Sequence, residues 1–281
     1  MKKLVLAVTV LALCSLSFAG TPSATKINSQ KEATAALGQK SAAQSVPRSP
    51  LATSTCSFTF TSGVNNTFLK YCVTVNGNIT QLQTPLGHEH IAVGSFGEGY
   101  GVCDTTTTVG YFDYADFGDS GNWGAPVTTH TLTSVKVVRS TSDGIWTLTQ
   151  VITQVAASSS VKVAMTLKNN TAVARFAYIM RYADVDGNST FSNTQDGTTN
   201  NAFSYTEEGF GLQLQNAGNP PAGFGWVGYP QNSPSGPAPC TPFATFVNGP
   251  ILATDGSIVE FYDGTFPALG SKTVTVNYKG L

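Results

Sequence analysis

From residue 130 to 188 the chain obeys one constraint: apolar and polar side chains alternate with period two. Val161, Val163, Met165 and Leu167 fall on one face, and Lys162, Ala164, Thr166 and Lys168 on the other. That is the pattern of a half-buried strand, because successive side chains of a strand point to opposite faces. Ala174, Phe176, Tyr178, Met180 and Tyr182 repeat it, with Arg175 and Arg181 opposite. Asp143-Gly144 and Asn169-Asn170-Thr171 supply polar turns between the runs, residue types that tolerate tight backbone conformations. Four such runs predict an antiparallel meander.

The rest of the mature chain follows the same rule in shorter pieces. Alternating or aromatic runs occur at 56–62, 67–75, 79–83, 90–96, 100–104 and 109–116, and again at 203–205, 210–214, 224–227, 258–262 and 273–278. Gly94, Gly97, Gly99 and Gly101 punctuate the early runs and signal bulges or close backbone approach. Helical amphipathic periodicity is absent after the leader, and 28 glycines with only 11% charged residues suit a β protein. About a dozen short strands across 52–281 predict an all-β fold, a single large antiparallel β-sandwich. A closed β-barrel or two small sandwiches are the alternatives.

Lys2 and Lys3, the apolar run 4–16 and Ser17-Phe18-Ala19 form the three parts of a secretory signal peptide, residues 1–19. The run is shorter than the roughly 20 apolar residues that span a bilayer. No membrane span is therefore expected after cleavage, and the mature protein is expected to be secreted, extracellular or periplasmic. Cys14 follows Leu13, where a lipoprotein signal would place a small residue. Residues 20–51 are rich in Ala, Ser, Thr, Gln and Lys without aromatics, a composition expected to form a disordered linker. Net charge is −1 with scattered Lys and Arg, which argues against a nucleic-acid partner. Nothing in the patterning sets an oligomeric state.

Cleavage leaves Cys56, Cys72, Cys103 and Cys240, an even number in an oxidising compartment. Their spacing lacks Cys-x-x-Cys, so disulfides are expected rather than zinc. Adjacent strands usually pair. If Ser62 opposes Thr67 across the turn at 63–66, Cys56 faces Val73, and a one-residue shift brings Cys72 opposite. Cys56–Cys72 and Cys103–Cys240 are the expected bridges.

Three groups are candidate sites. Asp184, Asp186 and Asn188, with Thr190 and Asp196 beyond, present hard oxygen donors at alternate positions, the chemistry of calcium. Gly187 and Gln195 do not match the glycine and glutamate of an EF-hand. His88, His90 and His130 are the only histidines and would suit zinc if three strands brought them together, as in a metal-dependent hydrolase. Trp123, near Asp113, Asp116 and Asp119, and Trp226 and Tyr229 in a Gly-rich aromatic run are candidate stacking groups for a glycan, the expected partner. Alternating large aromatics are otherwise core residues. A carboxylate hydrolase would need two acids across a cleft. The sequence holds no Gly-x-Ser-x-Gly elbow, phosphate loop or His-Glu-x-x-His. The leading reading is an exported, non-catalytic β-sandwich of the cell envelope or matrix, glycan-binding or adhesive.

Overall fold

The structure is a computed structural model that describes residues 53–231, 235–244, 246–247 and 249–281. The expected signal peptide (1–19) and linker (20–51) lie outside the described residues. The strands are β1 (Phe58–Ser62), β2 (Leu69–Val73), β3 (Ile79–Gln83), β4 (Glu98–Asp104), β5 (Val109–Asp113), β6 (Val127–His130), β7 (Ser134–Ser140), β8 (Trp146–Val155) and β9 (Ser160–Asn169). They continue as β10 (Arg175–Asp184), β11 (Asn193–Gly197), β12 (Asn201–Tyr205), β13 (Gly211–Asn216), β14 (Gly225–Gln231), β15 (Ile251–Thr254), β16 (Ser257–Phe266) and β17 (Ser271–Gly280). Among the described residues there is no α-helix, and no helix is long and apolar enough to cross a membrane.

All strand pairs are antiparallel, in three sheets: β1-β2-β3, β14-β16-β10-β4-β5 and the nine-stranded β15-β11-β12-β13-β17-β9-β8-β7-β6. None closes into a barrel, and the fold is an all-β sandwich. Val161, Val163, Met165 and Leu167 of β9 join Val274, Val276 and Tyr278 of β17 in one buried cluster with Tyr100, Val102, Ile179 and Tyr262 of the five-stranded sheet. Leu69, Tyr71 and Ile79 of the three-stranded sheet belong to the same cluster. Each large apolar side chain buried there contributes about 1.5–3 kcal/mol.

The meander expected over 130–188 is real for β7, β8 and β9, which pair in sequence order. The fourth run departs from it. β10 leaves the nine-stranded sheet and pairs instead with β4 and β16. Asn169 directs the crossing: its side-chain amide donates to the carbonyls of Val173 (2.7 Å) and Pro267 (3.1 Å), and its side-chain oxygen accepts from the Thr171 N–H at 2.9 Å.

β10 also inverts the simple reading of its alternation. Ala177, Ile179 and Ala183 lie in the core between the sheets, and Arg181 shares their parity and is fully buried. Its guanidinium pairs with Glu98 at 2.5 Å and donates to Tyr278 Oη (2.7 Å), Gln150 Oε1 (2.6 Å) and the Gly77 carbonyl (3.1 Å). Glu98 accepts in addition from the Tyr278 hydroxyl and the Ile79 N–H. Burial works to lower the Arg181 pKa, and Glu98 and Tyr278 together more than offset it, holding the guanidinium above its ordinary value. A second buried pair, Arg139 with Asp113 at 2.6 Å, is tied to the first through Tyr100, whose hydroxyl accepts from Arg139 and donates to the Asn76 carbonyl, both at 2.9 Å.

Both expected disulfides are present, Cys56–Cys72 with Cα atoms 5.6 Å apart and Cys103–Cys240 with 5.0 Å. The register behind the first differs from expectation. Ser62 opposes Leu69 rather than Thr67, and Cys72 opposes Thr59. The 3-10 turn Asn65–Thr67, with Phe68 extended after it, lengthens the connection. Cys56 precedes β1 and reaches Cys72 from outside the ladder, its sulfur 3.2 Å from the Thr59 hydroxyl.

Removing one member of a buried ion pair leaves the other charge unpaired, at a cost of about 3–5 kcal/mol. Arg181→Met is expected to destabilise the fold by that order, measured by chemical denaturation. The double variant Arg181→Met/Glu98→Gln should recover part of the loss, because it removes the stranded carboxylate.

Candidate functional site: an aromatic outer face and an acidic loop cluster

Because Arg181 faces inward, period two sends its neighbours outward. Tyr178, Met180 and Tyr182 of β10 meet Val259 and Phe261 of β16, Tyr114, and the partly buried Phe112, Phe117, Val227 and Phe246 in a second cluster. Direct pairing places Cys103, Tyr178, Asp263 and Gly225 in one row across β4, β10, β16 and β14. Tyr229 opposes Val259 on the same face.

The segment after β14 lies over this face. The Tyr114 hydroxyl donates to the Pro237 carbonyl at 2.8 Å. Pro239 packs where a Cβ at Gly101 would meet its Cγ at 3.0 Å, so a side chain at Gly101 would press on the proline ring. Close approach is thus one use of the glycine-rich run. Beyond Cys240, Phe243 lies 5.1 Å from Phe261 and 6.4 Å from both Tyr178 and Tyr229, by ring centroids. Phe246 stacks on Tyr229 at 4.2 Å. Phe243 is 53% and Phe176 38% exposed, while Tyr178, Tyr229 and Phe246 are half-buried. Aromatic faces thus meet solvent beside the Asp263 carboxylate.

Of the three aromatic residues expected to stack on a ligand, only Tyr229 stands on this face. Trp123 is a core residue, 3% exposed, edge-on to Tyr100 and Tyr111 and under the Arg139 guanidinium. Trp226 opposes Tyr262, so it points to the inner side, where it packs against the core and donates to Asn200 Oδ1 at 3.0 Å. Phe243 and Phe246 escaped the sequence reading because a proline-rich loop has no periodicity that assigns its side chains to a face.

The acidic group forms at the end of β10. Asp184 and Asp186 converge with Asp255, from the turn between β15 and β16, and one oxygen from each lies within 4.8 Å of the others. Asp184 and Asp186 are buried, at 2% and 1% exposure. Asn188 does not join them. Its side-chain oxygen sits 2.8 Å from His88 Nδ1, and its backbone is left-handed in the 3-10 turn Gly187–Ser189. Asp255 lies in a separate turn far along the chain, and no local pattern announces it.

The histidines do not form one centre. His90 is buried; its Nε2 lies 2.7 Å from the Thr84 carbonyl and its Nδ1 accepts from the Asn188 N–H at 3.2 Å. Those contacts fix the neutral tautomer with the proton on Nε2, burial holds its pKa low, and neither nitrogen is left for a metal. His88 stacks on Phe210 with centroids 3.7 Å apart. His130, on β6, packs against Phe58 at 5.2 Å. Glu89 serves the backbone, accepting from the N–H groups of Leu82, Ile91 and Ala92.

No protein-family model and no curated protein matches the sequence. Among solved structures, a bacterial glucoamylase complexed with acarbose is similar at a TM-score of 0.52 and 10% identity, over 82% of this chain and 33% of that one. A heparan sulfate lyase HepC mutant from Pedobacter heparinus is similar at a TM-score of 0.44 and 9% identity, over 79% of this chain and 34% of that one. The chain thus spans about a third of the length of either. The likeness to the glucoamylase is one of fold.

One buried acid stands apart from both groups. Glu260 opposes Arg181 on the inner face, is fully buried, and neither of its oxygens has a hydrogen-bond partner among the described residues. The Arg181 guanidinium is committed to Glu98, and Tyr262, two residues on, shares the inner face with Glu260. Burial pushes the Glu260 carboxyl from 4.5 up to about 9. The folded state therefore holds a proton that the unfolded chain releases near pH 4.5. The stability this group contributes is complete below that pH and is lost as pH rises towards 9. Glu260→Gln, which mimics the protonated form, is expected to gain about 3 kcal/mol relative to wild type between pH 4.5 and 7. Denaturant midpoints across that range check it.

Proposed function

We infer that this is an exported, non-catalytic glycan-binding β-sandwich, and that the ligand lies on the outer face of the five-stranded sheet. The observation that carries the reading is the contiguous set Tyr178, Tyr229, Phe243 and Phe246, exposed or half-buried beside Asp263. Aromatic rings offer flat apolar faces to the C–H faces of sugars, and a carboxylate accepts from sugar hydroxyls. The carboxylate favours a neutral glycan over a sulfated one. The fold is shared with a glucoamylase solved with acarbose, which supports a carbohydrate setting. Two disulfides suit the oxidising compartment that the leader implies.

Retention on insoluble starch, cellulose and chitin, against heparin, tests the reading. Binding to at least one neutral polysaccharide is expected. Phe243→Ala should weaken it about ten-fold with little change in melting temperature, because that ring is half in solvent. Absence of retention on every neutral polysaccharide would overturn the reading.

Calcium at Asp184, Asp186 and Asp255 is the second element of the proposal. Three carboxylates at this spacing, two of them buried, match the hard-oxygen chemistry of that ion, and their mutual repulsion favours a cation between them. Millimolar calcium should raise the melting temperature, since a ligand specific for the native state stabilises it. Asp255→Asn should abolish the rise. An unchanged melting temperature in calcium and in chelator would remove the ion from the account.

A further inference from the structure

We propose that the Cys103–Cys240 disulfide assembles the aromatic face, so that the protein acquires its ligand surface only once that bond has formed. The inference rests on the glycan-binding reading for its ligand, and on geometry for the rest.

Half of the platform belongs to the sheet and half to the loop that crosses it. Tyr178 and Tyr229 are strand residues, fixed by ladder bonds on both sides of β10 and on one side of β14. Phe243 and Phe246 belong to the described stretches 235–244 and 246–247. On its N-terminal side the segment is held by the bond from Tyr114 to the Pro237 carbonyl and by Pro239 against Gly101 and Gly110. On its C-terminal side it is held by the Val247 N–H to the Pro230 carbonyl at 3.2 Å and by the bridge of Phe246 to Gln231. Between these anchors the covalent tie is Cys240 to Cys103. Cys103 is directly opposed to Tyr178, so the bond fastens the segment to the row that carries the ligand-facing tyrosine. Phe243 follows Cys240 by three residues, within the 3-10 turn Pro242–Ala244.

The two bridges are not equivalent. Cys56–Cys72 staples the residues before β1 to β2, in the three-stranded sheet, which carries none of the platform residues. Cys103 is buried and Cys240 half-buried, so Cys240 is the more accessible end of the bond. Forming the bond takes two electrons and two protons from two thiols and converts one disulfide of a donor oxidoreductase to a dithiol. In a reducing compartment the reverse exchange leaves the segment without its central tie and Phe243 without a fixed position. Binding is then confined to the exported, oxidised protein.

The test compares wild type, Cys103→Ser/Cys240→Ser and Cys56→Ser/Cys72→Ser. Retention is measured on whichever of starch, cellulose or chitin holds the wild type, and chymotryptic cleavage after Phe243 and Phe246 is measured without any ligand. The Cys103/Cys240 variant is expected to bind about ten-fold more weakly and to be cut faster at those phenylalanines. The Cys56/Cys72 variant should match wild type in both. Reduction of wild type with dithiothreitol should reproduce the first variant, and reoxidation should restore it. Unchanged cleavage in the Cys103/Cys240 variant overturns the inference whatever the polysaccharide result. A wild type that binds none of the three sinks the glycan reading instead, and the cleavage data still decide whether the disulfide orders the segment.

Discussion

The fold turns on a charge in an apolar layer. Arg181 sits at the centre of β10 with no exposed surface, and an unpaired guanidinium there would cost many kcal/mol. The surrounding chain meets that demand from all three sheets. Glu98 comes from β4, Gln150 and Tyr278 from the nine-stranded sheet, and the Gly77 carbonyl from the turn before β3. A guanidinium bonded through all three of its nitrogens has one geometry, so the network fixes how the layers stand in register as well as offsetting desolvation. Burial pushes the Glu98 carboxyl up, and the Arg181 charge, the Tyr278 hydroxyl and the Ile79 N–H pull it back. Glu260, across the strand from Arg181, has no such donors and keeps its proton.

The outer face follows from that constraint. A strand has two faces, and committing Arg181 to the inner one leaves Tyr178, Met180 and Tyr182 on the outer one. Apolar surface of this size in water is either covered or used. Here part of it is covered and part stays open. Pro237, Pro239 and the Cys103–Cys240 bond bring a loop over one part, and the loop contributes two further rings to the part that stays open. The same loop that shields the sheet thereby extends its open aromatic surface.

Much of this was legible in sequence wherever the signal was periodic. The faces of β9 follow directly from its alternation, and the cysteine count with strand adjacency gave both bridges. The reading of β10 went astray because alternation identifies two faces without saying which is inner, and the usual rule, arginine outward, loses when a buried partner awaits it. Turn chemistry at Asn169 announced a reversal but not a change of sheet, since that depends on carbonyls near residue 267, far away in sequence. β6, β11 and β15 lacked patterns strong enough to mark them. At the sites, Asp184 and Asp186 were recognisable as a pair, whereas Asp255 was not, and Asn188 was drawn away by His88. Trp123 looked like a ligand contact and is core, because composition cannot distinguish a buried aromatic from an exposed one.

The central claim is that the outer face of the five-stranded sheet, created by the inward Arg181, is where a neutral glycan sits. Aromatic chemical-shift mapping by NMR during titration with a soluble oligosaccharide of the retained polysaccharide tests it most directly. The account predicts that ring resonances of Tyr178, Tyr229, Phe243 and Phe246 move together along one saturating curve, while threonine methyls of the opposite face, such as Thr166 and Thr273, stay in place. Shifts confined to that opposite face, or saturable binding that leaves all four rings unmoved, would contradict it.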